Sequence, residues 1–153
     1  MTFIGQPLWG SIGYTLPATL GTQMADPNRR NILLIGDGSL QLTVQELSTM
    51  IRQDIKPIIF VINNDGYTVE RLIHGMEETY NDIRMWDYKA LPKVFGGDNV
   101  VVHDVKTSND LQNVFDAINA APEQLHFTEV IMKWDDAPAK LRDISKAFAA
   151  QNK

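Results

Sequence analysis

This 153-residue chain contains no cysteine. Disulfides, zinc–thiolate sites and thiol nucleophiles are therefore excluded, and a reducing compartment such as the cytoplasm is the expected location. No apolar run approaches the ~20 residues of a membrane span. The first residues, Met1-Thr2-Phe3-Ile4-Gly5-Gln6-Pro7, lack the basic start and apolar stretch of a signal peptide. The formal net charge is −5 and no basic block is present, which argues against nucleic acid as the main partner. No G-x-G-x-x-G follows a strand-like run and no Walker lysine motif occurs, so neither common phosphate loop is available. His74, His103 and His126 are scattered without metal-ligand spacing, and a structural role is expected for the last two. Trp9, Trp86 and Trp134 read as packing or interface residues.

What is present is an alternation of strand-like and helix-like segments. Leu8 to Met24 is helix-like, but Pro17 within it predicts a kink or a late helix start. A turn at Asp26-Pro27-Asn28 precedes a strand over 31–35. A Gly-Asp-Gly-Ser loop follows, and 3.6-residue spacing predicts one helix from Leu42 to Arg52. Pro57 opens a strand over 58–62. Tyr67 to His74 reads as a short helix, residues 75–86 as a loop and Lys89 to Phe95 as another short helix. Val100 to Val105 reads as a strand, Ser108 as the cap of a helix through Ala121, and Phe127 to Met132 as a strand. Asp135-Asp136 reads as a solvated turn, with a last helix beginning at Pro138. Strands separated by helices predict an α/β fold, with a mostly parallel sheet covered by helices on both faces. No linker or internal repeat divides the chain, so residues 1–153 are expected to form one domain.

Two polar blocks stand out. Gly36-Asp37-Gly38-Ser39 follows the apolar run Asn31 to Ile35. Asn63-Asn64-Asp65-Gly66 follows the apolar run Ile58 to Ile62. Each block therefore lies where a buried strand ends, the edge at which open α/β sheets bind ligands. One carboxylate, side-chain amides and a glycine carbonyl make an all-oxygen set suited to a hard cation such as Mg²⁺, which often bridges to phosphate. Taken singly, the residues have plainer roles. Asp37 and Ser39 suit helix capping, Gly36 and Gly38 a tight turn, and Asn64 a left-handed turn. Glu70 alone reads as a surface glutamate and Ile12 as a helix-packing residue.

The two blocks at this spacing resemble the thiamine-diphosphate signature. Gln6 to Tyr14, Gly36 to Glu46, Asn63 to Gly75, Tyr80 to Ile83 and Trp86 to Tyr88 are similar to the 2-keto acid decarboxylases. Among these the chain looks nearest to the indolepyruvate, phenylpyruvate and branched-chain keto acid enzymes, with pyruvate decarboxylase a little further off. The resemblance implies a thiamine-diphosphate-binding fold with thiamine diphosphate and Mg²⁺ as cofactors. Asp37, the Asn64 side chain and the Gly66 carbonyl would hold the metal, and Gly38 and Ser39 would contact the diphosphate. Ile12 would be an apolar wedge under the cofactor, the Gly10 carbonyl would accept from its exocyclic amine, and Tyr67 would also lie against it. Glu70 matches the acidic residue beside the reactive carbon, in an apolar pocket, and Ile73 would line the substrate pocket.

The resemblance further implies that this is the C-terminal diphosphate-binding domain alone. The family's pyrimidine-binding and middle domains are absent, as in a C-terminal fragment, a split-gene subunit or a proteolytic remnant. The expected partners are a 2-keto acid and a pyrimidine-binding domain of the same or a neighbouring subunit, in a homo-oligomer with no nucleic acid and no membrane. Two other readings are an inactive α/β dimerisation or interaction module, and a nucleotide-binding α/β domain unrelated to thiamine.

Overall fold

A computed structural model describes residues 1–151. Four parallel strands form one sheet in the order β1-β2-β4-β3: β1 is Ile32–Gly36, β2 Ile58–Asn63, β3 Val101–Val105 and β4 His126–Ile131. The helices are α1 Thr15–Ala25, α2 Asp37–Thr43, α3 Glu46–Arg52, α4 Thr68–His74, α5 Leu91–Val94, α6 Ser108–Ala120 and α7 Ala139–Gln151. Short 3₁₀ turns cover Thr79–Asn81 and Tyr88–Ala90. Among the described residues no helix is long and apolar enough to cross a membrane.

Proline sets where the first helix begins. Pro17 lies in the first turn of α1, where the backbone N–H groups have no intrahelical partner and a missing one costs nothing. The late start expected from Pro17 is what forms, and residues 1–14 remain outside the helix. Three other expectations are corrected. The Gly-Asp-Gly-Ser stretch is not a free loop, because Asp37 already opens α2. The single helix over Leu42–Arg52 is two helices broken at Val44-Gln45, where Leu47 and Ser48 N–H groups bond to Val44 and Gln45 carbonyls in tight i→i+3 turns. Thr107, not Ser108, caps α6. Its hydroxyl accepts from the Asp110 N–H while the Asp110 carboxylate accepts from the Thr107 N–H.

The sheet buries two unequal apolar layers. On one face Leu33, Ile35, Ile59, Val61 and Phe127 pack with Leu16, Leu40, Leu47 and Met50 from α1, α2 and α3. On the other, Ile58, Phe60 and Val105 pack against Val114 and Ile118 of α6. This second layer stops short of β1. Ile32 and Leu34 pair in register with Ile58 and Phe60, yet they are 66% and 67% exposed. The expectation of helices over both faces therefore fails at β1, because α6 follows β3 on the far side of the sheet and does not reach across to the β1 edge.

Candidate functional site

Strand order brings the two polar blocks together. β1 and β2 are adjacent and in register up to Gly36 opposite Ile62, so Asp37 and the turn after Asn63 emerge side by side. Asp37 is 1% exposed. Its Oδ1 accepts from the Gly38 N–H at 2.8 Å and its Oδ2 from the Gly66 N–H at 3.0 Å. Burial pushes its pKa up, partly offset by the N–H groups of Gly66, Gly38 and Asp65, while the neighbouring Asp65 charge pushes it up further. A buried carboxylate with no cationic side chain bonded to it among the described residues, and with lone-pair capacity left beyond these N–H groups, is suited to a metal ion.

The second block is held by its own side chains. Asp65 has φ +57° and Gly66 φ +116°. A Cβ on Gly66 would fall against the Asn81 carbonyl and the Arg71 guanidinium, so only glycine fits. Asn64 Nδ2 donates to Thr68 Oγ1 at 2.9 Å, and the Thr68 hydroxyl donates to the Trp134 carbonyl at 2.7 Å. Because Thr68 spends its proton on Trp134, it must accept from the Asn64 amide, which turns Asn64 Oδ1 away and leaves it free as a ligand. Asn63 is buried beneath the turn, with Nδ2 donating to Glu129 Oε1 at 2.6 Å and Oδ1 accepting from the Asp65 N–H at 3.4 Å. Among the described residues no three carboxylate or imidazole side chains gather as a metal cluster. One carboxylate, one amide oxygen and one peptide carbonyl fit a hard divalent cation that completes its shell with phosphate and water.

The segment before α1 is tied to this site at one residue. The Gly13 N–H donates to Ser39 Oγ at 2.8 Å, and the Gly13 carbonyl accepts from Thr43 Oγ1 at 2.9 Å. Ser39 therefore keeps only its hydroxyl proton for an outside acceptor, and the Gly38 N–H is taken by Asp37. The Tyr67 ring lies on Gly38 so closely that a Cβ there would fall inside it. Gly10 is exposed with φ +58°, and Ile12 is also exposed. Glu70 is not enclosed in the apolar pocket expected for it. Its side chain is 48% exposed on α4, with Oε2 3.3 Å from His74 Nε2. Ile73, on the same helix, is half-buried. The structure thus joins Asp37, Gly38, Ser39, Asn64, Gly66 and Tyr67, and leaves Gly10, Ile12 and Glu70 on an open surface.

Several residues escaped the sequence reading. Tyr88 is fully buried, its hydroxyl accepts from Gln41 Nε2 at 2.8 Å, and burial pushes its pKa up to about 12. Arg71 is buried under the second block. Glu129 could have been suspected, since a carboxyl group within the apolar run Phe127 to Met132 needs a partner. Arg71 gave no such signal, because an arginine on a short polar helix is ordinarily solvated. His103 and His126 pair with each other, their rings 2° from parallel and His103 Nε2 3.0 Å from His126 Nδ1. His126 Nε2 lies 2.9 Å from the Ala121 carbonyl, which can only accept, so His126 is protonated on Nε2 and takes the His103 proton donor on Nδ1.

Comparison with known proteins gives this site a family. Residues 1–129 match the family described as thiamine pyrophosphate enzyme, C-terminal TPP binding domain. The chain is 49% identical over its whole length to a pyruvate decarboxylase of Aspergillus fumigatus, covering 28% of that protein. It is 46% identical over 99% of its length to an alpha-keto-acid decarboxylase of Mycobacterium bovis, covering 27% of that protein. A thiamine diphosphate-dependent 4-hydroxybenzoylformate decarboxylase of Rhodococcus jostii superposes with a TM-score of 0.72 at 29% identity, over 86% of this chain and 25% of the other. The chain thus spans roughly a quarter of the length of these relatives. It belongs to the thiamine pyrophosphate enzymes, as their C-terminal TPP binding domain.

Proposed function

We propose that this chain is the diphosphate- and Mg²⁺-binding domain of a non-oxidative thiamine-diphosphate-dependent decarboxylase that converts a 2-keto acid into an aldehyde and CO₂. The observation that carries this reading is the bond from the Gly66 N–H to buried Asp37 Oδ2, which unites the two blocks into one oxygen-lined site. Relatives named as decarboxylases of pyruvate and of alpha-keto acids, aligned over nearly the full chain, support the substrate class.

When bound, thiamine diphosphate supplies the nucleophilic carbon and the electron sink. The remaining tasks fall to side chains of this chain. Asp37, Asn64 through Oδ1 and Gly66 through its carbonyl would hold Mg²⁺. The Ser39 hydroxyl, oriented by the Gly13 N–H, would donate its proton towards the diphosphate. Ile12 would present an apolar face to the ring half of the cofactor, and the Gly10 carbonyl would accept from its amine. Glu70, with Oε2 3.3 Å from His74 Nε2, would be the group that exchanges a proton with the reacting centre, and Ile73 would line the substrate side.

The exposed surface supports a further element of this reading, a pyrimidine-binding domain from the same or a neighbouring subunit. Leu8 and Trp9 are 82% and 80% exposed, and Ile12 stands beside them without cover. Alone, the chain is expected to bind thiamine diphosphate weakly through its diphosphate end. Proximity and orientation provide a large share of any rate acceleration, and half of the site is missing. Calorimetry with thiamine diphosphate and Mg²⁺, followed by CO₂ release assays, tests this. The expected result is Mg²⁺-dependent binding without turnover of phenylpyruvate, indolepyruvate or branched-chain 2-keto acids, and partial turnover once a separately expressed pyrimidine-binding domain is added. Turnover by the chain alone at about 1 s⁻¹ or more would overturn the need for a second domain. Absence of any Mg²⁺-dependent cofactor binding would leave the interaction-module reading.

A further inference from the structure

The peptide unit between Asp65 and Gly66 is held from both ends by buried charged groups. Its N–H donates to Asp37 Oδ2 at 3.0 Å, and its carbonyl accepts from Arg71 Nη2 at 2.6 Å. In a trans peptide the C=O and N–H point in opposite directions, so the carboxylate and the guanidinium clamp one plane between them. Both are nearly sealed from water, with Arg71 at 4% exposure. The clamp acts where the backbone most needs it, since Asp65 is a non-glycine residue at positive φ and its conformation must be imposed by its surroundings. The close approach of Arg71 also requires the glycine, because a Cβ at position 66 would lie 2.8 Å from Nη2.

Arg71 is itself fixed from two further directions. The same Nη2 pairs with Asp82 Oδ1 at 2.9 Å, and the guanidinium carbon lies 5.3 Å from the centre of the Trp134 ring. Trp134 also takes the Thr68 hydroxyl on its carbonyl, and Thr68 in turn orients Asn64. Two residues of the second block are thereby referenced to one tryptophan in the loop between β4 and α7: Asn64 through Thr68, and Gly66 through Arg71.

We infer that Arg71 is a positioning residue for the metal site: by fixing the Asp65–Gly66 peptide it sets the orientation of the Asp37 carboxylate and the direction of the Gly66 carbonyl. The inference rests on the reading of Asp37, Asn64 and Gly66 as Mg²⁺ ligands. Its physical basis is the polarised chain of guanidinium, peptide and carboxylate in a low-dielectric interior, where charge-assisted hydrogen bonds are short and directional. Lysine keeps the charge but lacks the planar guanidinium that lies against the Trp134 ring, so it is only a partial replacement.

The test uses the full chain and its Arg71→Met and Arg71→Lys variants. Two quantities are read: hydrogen exchange of the Gly66 amide in the metal-free chain, and the Mg²⁺ concentration needed to support thiamine diphosphate binding by calorimetry. In Arg71→Met, Gly66 exchange is expected to accelerate while the amides of Ile59 to Val61 in β2 keep their protection. The apparent Mg²⁺ Kd is expected to rise by about tenfold, on the scale of one lost charge-assisted bond. Arg71→Lys should fall between wild type and Arg71→Met in both readings, and it carries the test by itself if the methionine variant does not fold. Unchanged Gly66 exchange, or an unchanged Mg²⁺ Kd, in a folded variant overturns the role of Arg71 while leaving the metal site standing. A wild-type chain that binds thiamine diphosphate equally with and without Mg²⁺ overturns the metal site first, and this role with it.

Discussion

At the carboxyl ends of β1 and β2, Asp37, Asn63, Gly66 and Arg71 are buried, with the Gly66 N–H bonded to Asp37, Arg71 to the Asp65 carbonyl and Asn63 to Glu129. Joined to this region through the Gly13–Ser39 bond, residues 3–12 present Phe3, Leu8, Trp9 and Ile12 to solvent. The difference follows from what each kind of group requires. A buried polar loop must find its hydrogen-bond partners within its own fold or lose free energy, so these polar groups are bonded within this chain. Apolar side chains make no such demand and can wait uncovered until another surface arrives. The bare side of β1 at Ile32 and Leu34 belongs to the same class. The polar part of the candidate site is organised with the domain, whereas the apolar surface beside it stays uncovered.

The strongest way to break this contrast is at Glu70, which stands on α4, just after the second polar block, with its side chain half exposed. In a longer protein that includes the pyrimidine-binding domain, Glu70→Gln keeps the shape and removes the transferable proton. Steady-state kinetics should show kcat lowered by about 10²- to 10⁴-fold with cofactor affinity nearly unchanged. Normal turnover would return Glu70 to the surface.

Asp37→Ala attacks the buried side. It removes the only carboxylate of the metal set and frees the Gly38 and Gly66 N–H groups. Calorimetry on the chain alone should show Mg²⁺-dependent thiamine diphosphate binding weakened by at least about tenfold. Equal affinity in wild type and variant would mean that the metal is held elsewhere.

Leu34→Asp sharpens the uncovered side. In the chain alone Leu34 is already in water, so thermal unfolding should show a change within about ±0.5 kcal/mol. In the longer protein, if this face is covered, the same substitution buries an unpaired carboxylate and should destabilise by roughly 1–3 kcal/mol or more. Equal effects in the two settings would show that β1 stays bare.

The smallest effect expected is at the His103–His126 pair, on the covered side of the same face. Burial and the neighbouring His126 lower the His103 pKa below its ordinary value. The unfolded chain then takes up a proton near pH ~6.5 before the folded chain does. This contribution to stability is full above that pH and is lost as pH falls through the window down to the folded value. Melting temperatures measured between pH 7.5 and 5.5 should fall more steeply for wild type than for His103→Gln. Parallel curves would remove His103 from the account.

Legibility in the sequence follows the range of the interaction involved. Strand positions, the late start of α1 at Pro17 and the alternation of elements were readable because proline, glycine and apolar periodicity act within a few residues. The break between α2 and α3 was not, because Leu42, Leu47, Met50 and Ile51 keep helical spacing across it and no proline or glycine marks Val44-Gln45. The cap at Thr107 was misplaced by one residue because the adjacent Ser108 has the stronger N-cap preference of the two. In the site, Asp37, Asn64 and Gly66 could be named from motif and resemblance, whereas Arg71 could not, since nothing local distinguishes a buried arginine from a solvated one.

What the sequence by itself determined is that two polar, glycine-containing blocks end two buried strands, since an apolar run followed by Gly-Asp-Gly or Asn-Asn-Asp-Gly has to leave the core there. It also determined that any metal held by these blocks meets oxygen alone. The tertiary structure decided the rest: that β1 and β2 are neighbours in a register placing Gly36 opposite Ile62, that the Gly66 N–H therefore reaches Asp37, and that Arg71 closes over the same peptide from below. It also decided that one face of β1 stays uncovered, because α6 covers that face only from β3 to β2 and does not reach the β1 edge. Contacts between such distant residues depend on strand order, which is settled by the summed packing of the two sheet faces and leaves no mark in any short stretch of sequence.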